Sequence, residues 1–341
     1  MLAAISFEAA EKPRFHLKRQ MTSNAHVLIL STRADVATDD VVRRLTSRGI
    51  ALTRLNTEDF PFSCTVAFQP GKRTDWLLCD GEPIAAPTSI WYRRLRSPSR
   101  PPEMDEGVYQ FCLQENRATL LGGVLGQSSR WMSPPAAVWK SEFKPFQLSL
   151  ATEIGLSIPP TIISNDPAAI RHAFDQFGSM IVKPARSGYF TREGQAYSVF
   201  TSQVMEQHLE ELDSAKLSPA IYQALIPKRF DVRVTIVGNR LFAASIDSQS
   251  DPAAIVDWRH TTNPHLPHRR IELPQKVSAL LLKLMDSLAL TFGAIDLIQT
   301  IDGEFVFLEV NPNGQWLWID DILDLGISDA VTDWLAQVPS S

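Results

Sequence analysis

The chain has 341 residues, with 38 Asp and Glu against 33 Lys and Arg, for a formal net charge of −5. That length allows two or three units with substantial cores, and the acidic balance gives no attraction to nucleic acid or an anionic membrane surface. No apolar run is long enough to span a membrane. Cys64, Cys79 and Cys112 are dispersed without ligand or redox spacing and read as free thiols of a reducing cytoplasm. Residues 1–24 carry Glu8, Glu11, Lys12, Arg14, Lys18 and Arg19 with no continuous apolar core, so they read as a mobile leader, not a secretory signal.

The run His26–Ser31 has the continuous apolar character of a buried strand. A helix beginning after Thr38 and closed by Gly49 follows, and then a strand over Ile50–Leu55, which together predict a parallel β-α-β unit. G-x-G-x-x-G is absent after that first strand, so no dinucleotide fingerprint is present. Thr65–Leu78 alternates as an antiparallel hairpin through Pro70-Gly71, and Ser89–Leu95 is a strand ending in Arg93 and Arg94. Exposed strand-end arginines are usually solvated; here they could guide an acidic peptide. A helix is predicted over Val108–Gly122, a boundary at Trp131–Pro135, and a second helix over Lys140–Gly155. After a strand at Ile158–Ile163, Asp166-Pro167 opens a helix with an N-cap and a proline at its first position. Strands follow at Gly178–Pro184, Ala220–Ile226 and Val232–Ser245, then an amphipathic helix after Pro274 and a closing helix over Ile327–Leu335.

The most informative segment lies just before the closing helix. Two β-rich runs flank Asp302-Gly303, a dipeptide favoured in two-residue hairpin turns. With that loop, Ile301 faces Glu304 and Asp296 falls opposite Glu309, while Asn311 shares the face of Glu309 because side chains alternate with period two. Two carboxylates and an amide converging on one face call for a cation, and hard oxygen ligands suit Mg²⁺ held with phosphates. Lys183 ends an apolar strand, where a charge is expensive unless an anion meets it. The segment after it, Ala185 to Phe190 with Ser187 and Gly188, is small and polar enough to fold over phosphates. It is not a P-loop, since G-x-x-x-x-G-K-[ST] occurs nowhere. Asp231 and Arg233 share a strand face and could form a mutual ion pair. His260, His265 and His268 lie in a Pro-rich stretch; zinc would need a fourth ligand and a stiff scaffold, so the stretch reads as a substrate-side loop with solvent-facing imidazoles.

Several strings occur in a fixed order: Lys144 eleven residues before Gly155-Leu-Ser-Ile-Pro-Pro-Thr161, Val182-Lys183-Pro184, Gln223-Ala224-Leu225-Ile226, Asp231-Val-Arg233, Gly293-Ala-Ile-Asp296, and Glu309-Val-Asn311-Pro312. Together they resemble the ATP-grasp superfamily over roughly residues 134–338. Ile90–Arg94, Phe242–Gln249, Asp257-Trp-Arg259 and Leu308–Trp318 narrow the resemblance to the microviridin-type (graspetide) peptide ligases. The resemblance implies an α/β and α+β chain: a mobile segment 1–24, a parallel α/β pre-ATP-grasp domain over 25–133, and an ATP-grasp domain over 134–338. The latter would comprise two α+β subdomains clasping ATP, about 134–218 and 219–338. It also implies that Lys144, Lys183 and Ser187 bind ATP phosphates, and that Gln223, Ala224, Leu225 and Ile226 line the adenine pocket through the backbone. Asp296, Glu309 and Asn311 would hold Mg²⁺, and Asp231, Arg233 and Arg259 would form the catalytic set facing the acceptor carboxylate or the transferred phosphate. The implied activity is phosphorylation of Asp/Glu side chains in a ribosomal precursor peptide, followed by attack of a Ser/Thr hydroxyl or Lys amine to close a lactone or lactam. Intermolecular carboxylate–amine ligation and a non-catalytic nucleotide sensor are the alternatives, and a homodimer is compatible with the resemblance. Where such ligases often carry Glu, this chain has Asp320.

Overall fold

The computed structural model describes residues 25–69, 77–127, 129–186, 188–192, 195–261, 263 and 265–338. The leader, the Pro70-Gly71 turn and Ser187 therefore lie outside the described residues. The first strand, β1 (His26–Ser31), leads through α1 (Val36–Ser47) to β2 (Ala51–Asn56), parallel to β1 as expected. The helix starts two residues before Thr38, whose hydroxyl instead hydrogen-bonds that of Ser31 at 3.1 Å. A small antiparallel sheet follows: β3 (Val66–Phe68), β4 (Leu77–Cys79) and β5 (Glu82–Pro83). Here the neighbouring Cys79 thiol and burial push the Cys64 thiol up. The main chain then returns through β6 (Ser89–Tyr92) and α2 (Glu106–Leu125) to β7 (Arg130–Met132), giving a first sheet of order β2-β1-β6-β7. Trp131, expected at a boundary, is thus part of that sheet.

The single helix expected over 140–155 is two, α3 (Pro135–Ser141) and α4 (Lys144–Ile154). Pro145 has no N–H and its ring collides with a carbonyl four residues back, so the helix must restart just ahead of it. Gly155 closes α4 at φ +97°, a left-handed conformation that suits glycine. The second sheet, in order β12-β9-β13-β8, contains β8 (Thr161–Ser164), β9 (Met180–Lys183), β12 (Ser202–Val204) and β13 (Ala220–Ala224). It packs on α5 (Pro167–Phe177), whose N-cap Asp166 accepts from the Ala168 N–H at 3.0 Å. Between β9 and β12, where the sequence reads as a loop, β10 (Tyr189–Arg192) and β11 (Gln195–Ser198) pair as a separate hairpin.

The third sheet is antiparallel, with order β16-β15-β14-β17-β18. Its strands are β14 (Lys228–Val237), β15 (Arg240–Ile246), β16 (His268–Ile271), β17 (Phe292–Thr300) and β18 (Phe305–Asn311). The apolar stripe of α6 (Gln275–Leu288), including Leu281, Leu284 and Leu288, joins Val232, Val234 and Ile295 of this sheet in one core. A second core joins the first sheet to the third, combining Val27, Ile29 and Trp91 with Phe292 and Trp316. Two helices end the described chain, α7 (Leu317–Leu323), which the sequence did not reveal, and α8 (Ile327–Ala336). The Asp320 carboxylate accepts from the N–H groups of Gly326, Ile327 and Ser328, capping α8. Among the described residues no helix is long and apolar enough to cross a membrane.

Candidate active site

Three charged side chains form a row across the third sheet: Arg233 on β14, Asp296 on β17 and Glu309 on β18 are successive cross-strand partners. Arg233 Nη1 meets Asp296 Oδ1 at 2.7 Å, and its Nη2 donates to the Gln315 carbonyl at 2.9 Å. The Asn311 amide lies 3.1 Å from Glu309 Oε1 and 3.4 Å from Asp296 Oδ2. The expected convergence is present, but the route to it differs. Thr300 and Glu304 face each other around a three-residue turn, with Gly303 at φ +89° and its N–H donating to Thr300 O. One extra residue would throw the carboxylates onto opposite faces. A bulge at Leu308 cancels it, because Leu297 pairs with Phe307 while Asp296 pairs with Glu309.

Two lysines lie against this row. Lys144 opens α4 and its Nζ is 2.8 Å from Glu309 Oε2. Gln147, one turn on, donates to the Val310 carbonyl and accepts from the Val310 N–H, each at 2.9 Å, which fixes α4 against β18 and holds Lys144 in place. Lys183 is buried at the end of β9, its Nζ 3.5 Å from the Leu308 carbonyl, and no carboxylate among the described residues forms an ion pair with it. Burial lowers its basicity to about 8, with Lys144 adding repulsion and Glu309 opposing. Burial would push the Glu309 carboxyl upward, but Lys144 and Lys183 hold it down at about 2. Asp296 is shifted up by burial, reinforced by Glu309 and only partly offset by Arg233.

Asp231 and Arg233 do not pair with each other. A register shift between Lys228 and Phe230 breaks the strand's alternation, so Lys228 lands on the face of Asp231 and its Nζ sits 2.8 Å from Asp231 Oδ2. Asp231 is nonetheless raised by burial. Arg259 is held by Asp257 through two side-chain hydrogen bonds of 2.8 and 2.6 Å, and its guanidinium carbon lies 5.4 Å from the centre of the Phe200 ring. Its hydrogen bonds to Asp257 raise its basicity further. Trp258 stacks on Trp318 at 5.0 Å. Of the histidines, His260 packs its ring 4.7 Å from Phe200, His265 is exposed, and His268 is half-buried against Trp318, with burial lowering its pKa.

Gln223 is fully buried, its amide donating to Thr161 Oγ1 at 2.9 Å. The backbone N–H groups of Ala224 and Leu225 already donate to Pro160 and Ser179, so neither is free for a ligand. A cavity of about 100 Å³ is lined by Gln223, Ile181, Leu308, Lys144 and Lys183, and Ala224, Leu225 and Ile226 are not among its walls. Beside it opens a cleft of about 1190 Å³, lined by Lys144, Lys183, Arg233, Arg259, Asp296 and Asn311.

Arg93 is not a solvated strand end. It is 1% exposed, paired with Asp35 at 3.0 Å, and its guanidinium lies 4.7 Å from the Trp316 ring centre. Burial lowers its basicity to about 10. Sequence reasoning missed Asp35, Gln147 and Lys228. None sits in a motif, and only Asp257, three residues upstream of His260 in the Asp257-Trp-Arg259 string, carried a signal.

The residues fit a divalent cation and a polyphosphate. Asp296 and Glu309 face each other with opposed shifts, and the Asn311 amide, turned over, would present its oxygen at the same corner. Lys183 is a buried ammonium that forms no ion pair among the described residues.

Comparison with known proteins finds ATP-grasp ligases. Residues 26–138 match the MvdD pre-ATP grasp domain. The chain is 29% identical to a Chryseobacterium gregarium RiPP-associated ATP-grasp ligase, solved with ADP and a leader and core peptide; 91% of this chain and 96% of that one are covered, at a TM-score of 0.82. It is 31% identical to the macrocyclase MdnC of Microcystis aeruginosa, solved with the precursor peptide MdnA, over 91% and 99% of the two chains at a TM-score of 0.79. It also matches tetrahydromethanopterin:alpha-L-glutamate ligase of Methanocaldococcus jannaschii at 24% identity, spanning 36% of that ligase's length.

Proposed function

The chain belongs to the RiPP-associated ATP-grasp ligases, and from that premise we propose that it uses ATP and Mg²⁺ to activate Asp or Glu side chains of a precursor peptide and joins them to Ser, Thr or Lys side chains of the same peptide. The observation that carries this reading is the buried Lys183 facing the paired carboxylates Asp296 and Glu309 across the junction of two sheets. A carboxylate resists weak nucleophiles because oxide is a poor leaving group; converting it to an acyl phosphate removes that obstacle. Bound ATP and Mg²⁺ would supply the phosphoryl group and screen its charge.

The chain's own residues would do the rest. Lys144 and Lys183 would hold phosphates, Ser187 and the segment around it would cover them, and Gln223 to Ile226 would flank the base. Asp296, Glu309 and Asn311 would hold the metal. Arg233 and Arg259, both lining the cleft, would neutralise charge developing on the transferred group. Asp231, tied to Lys228, would shape the far wall beside Gln223. The region 25–133 would serve as the pre-ATP-grasp domain and 134–338 as the ATP-grasp domain. A cytoplasmic location fits three free thiols, and a homodimer would show in sedimentation.

The test combines the purified protein, ATP, Mg²⁺ and the acidic peptide encoded nearest its gene, and reads product mass. Loss of one water per link supports the proposal. A mass gain in the presence of free glutamate would instead favour intermolecular addition, the reaction named for the Methanocaldococcus relative.

A further inference from the structure

Six cationic side chains line the large cleft: Arg94, Lys144, Lys183, Arg186, Arg233 and Arg259. Four of them have carboxylate partners, at Glu309, Glu142, Asp296 and Asp257 respectively for Lys144, Arg186, Arg233 and Arg259. Among the described residues Lys183 and Arg94 form no ion pair. Lys183 is buried beside the candidate metal ligands and is already assigned to phosphate. Arg94 is left over: it comes from a different sheet, follows β6, and faces solvent at the cleft.

Its position is fixed. Consecutive arginines after a strand project to opposite sides, so Arg93 enters the aromatic core while Arg94 faces the cleft. Both brace one turn: Arg93 donates to the Gly314 carbonyl at 3.1 Å, and Arg94 Nε donates to the Asn313 carbonyl at 3.2 Å. On the other side of that turn Arg233 donates to Gln315. A single N–H anchors Arg94, leaving the two terminal nitrogens of its fork for a planar anion. Although its side chain reaches solvent, partial enclosure lowers its basicity, Asp35 opposes that shift, and Arg233 and Arg96 add repulsion.

We propose that Arg94 docks an acidic side chain of the peptide substrate at the cleft mouth through a two-pronged guanidinium–carboxylate contact, and so determines which acidic position of the peptide is presented. This rests on the ligase reading above. It adds a recognition residue contributed by the first sheet, outside the segments that carry the lysines and the metal ligands.

The test measures binding, not turnover. A fluorescein-labelled synthetic peptide containing Thr, Ser, Lys and clustered Asp and Glu is titrated by anisotropy beside its counterpart in which every acid is replaced by Asn or Gln. Wild-type protein should bind the acidic form about tenfold more tightly, the scale of one charge-assisted contact. Arg94→Gln should bring that ratio close to one, and Arg94→Lys should restore part of it. Arg96→Gln removes the same charge outside the cleft and should leave the ratio high. A wild-type ratio near one, an undiminished ratio in Arg94→Gln, or an equal loss in Arg96→Gln overturns the proposal. Restoring acids singly in the Asn/Gln peptide should identify one position whose contribution vanishes in Arg94→Gln. If the ratio behaves as expected but the wild-type protein removes no water from peptide with ATP and Mg²⁺, docking stands and the ligase reading falls.

Discussion

Replacing Lys183 with Met should stabilise the ligand-free protein while removing its hold on nucleotide. Lys183 is 7% exposed, and burial lowers its basicity from 10.5 to about 8. Between those values the unfolded chain binds the proton and the folded chain does not, so stability rises with pH across that window. Below about pH 8 the folded protein carries the ammonium at full cost. At pH 7 the difference in basicity corresponds to roughly 3 kcal/mol of destabilisation, and at pH 9.5 to roughly half that. Urea unfolding followed by tryptophan fluorescence, in EDTA without nucleotide, measures both. Lys183→Met should be more stable than wild type at pH 7 by up to about 3 kcal/mol, and this advantage should roughly halve at pH 9.5. A variant less stable at pH 7, or one whose advantage does not shrink as pH rises, would refute the picture of an uncompensated buried charge. Binding of ATP to the same variant should weaken at least tenfold by calorimetry, as expected for losing one charge-assisted contact to phosphate.

Glu309→Gln should lower ATP-dependent product formation by two orders of magnitude or more, on the scale of losing a major electrostatic group in phosphoryl transfer; full product formation by mass would contradict the metal assignment. At Gly314 a Cβ would land on the Cβ of Ala294 and 3.3 Å from Arg233 Nη2, so Gly314→Ala should cost about 1–3 kcal/mol in urea unfolding. An unchanged midpoint there would show that the turn can move away. Asp35→Asn leaves the buried Arg93 without its countercharge and should cost about 3–5 kcal/mol, whereas Arg93→Met with Asp35→Asn should recover much of that loss. If the double variant is no better than the single one, charge is not the source of the cost.

Elements with strong periodicity or clear punctuation were legible from sequence: β1, the amphipathic α6, the Asp166-Pro167 helix start and the Gly155 cap all lie where the pattern put them. What was not legible depended on contacts between distant segments. Arg93 and Arg94 look alike in sequence, and only the packing of Trp91 and Trp316 decides that one is buried and the other faces the cleft. Asp231-Val-Arg233 suggests a mutual pair because the two share a strand face, but the irregularity near Arg229 brings Lys228 to Asp231, and Arg233 meets its cross-strand neighbour Asp296. Likewise, no local pattern marks Gln147 as the clamp that seats Lys144, since the two hydrogen bonds that tie α4 to β18 run to the distant Val310.

The facing of Asp296 and Glu309 was inferred from a two-residue turn that does not exist, and the reason it still holds is parity. Which face a strand residue occupies depends only on whether the count of intervening irregularities is odd or even. A turn one residue longer and a bulge of one residue restore the even count, so the carboxylates meet. The two departures are not idle, however. A straight β18 closed by the shorter turn would give the same pairing, but the bulge occurs at the residue whose carbonyl faces Lys183, 3.5 Å from its Nζ. A buried ammonium without a direct carboxylate partner needs such a neutral acceptor, and Glu309 acts on this one only at longer range. Pairing Lys183 directly with a carboxylate would stabilise the ligand-free protein and weaken the phosphate contact proposed for it. The irregularity in β18 thus falls at the residue from which the lysine takes its hydrogen bond, while the lysine's charge is met by no direct ion pair among the described residues.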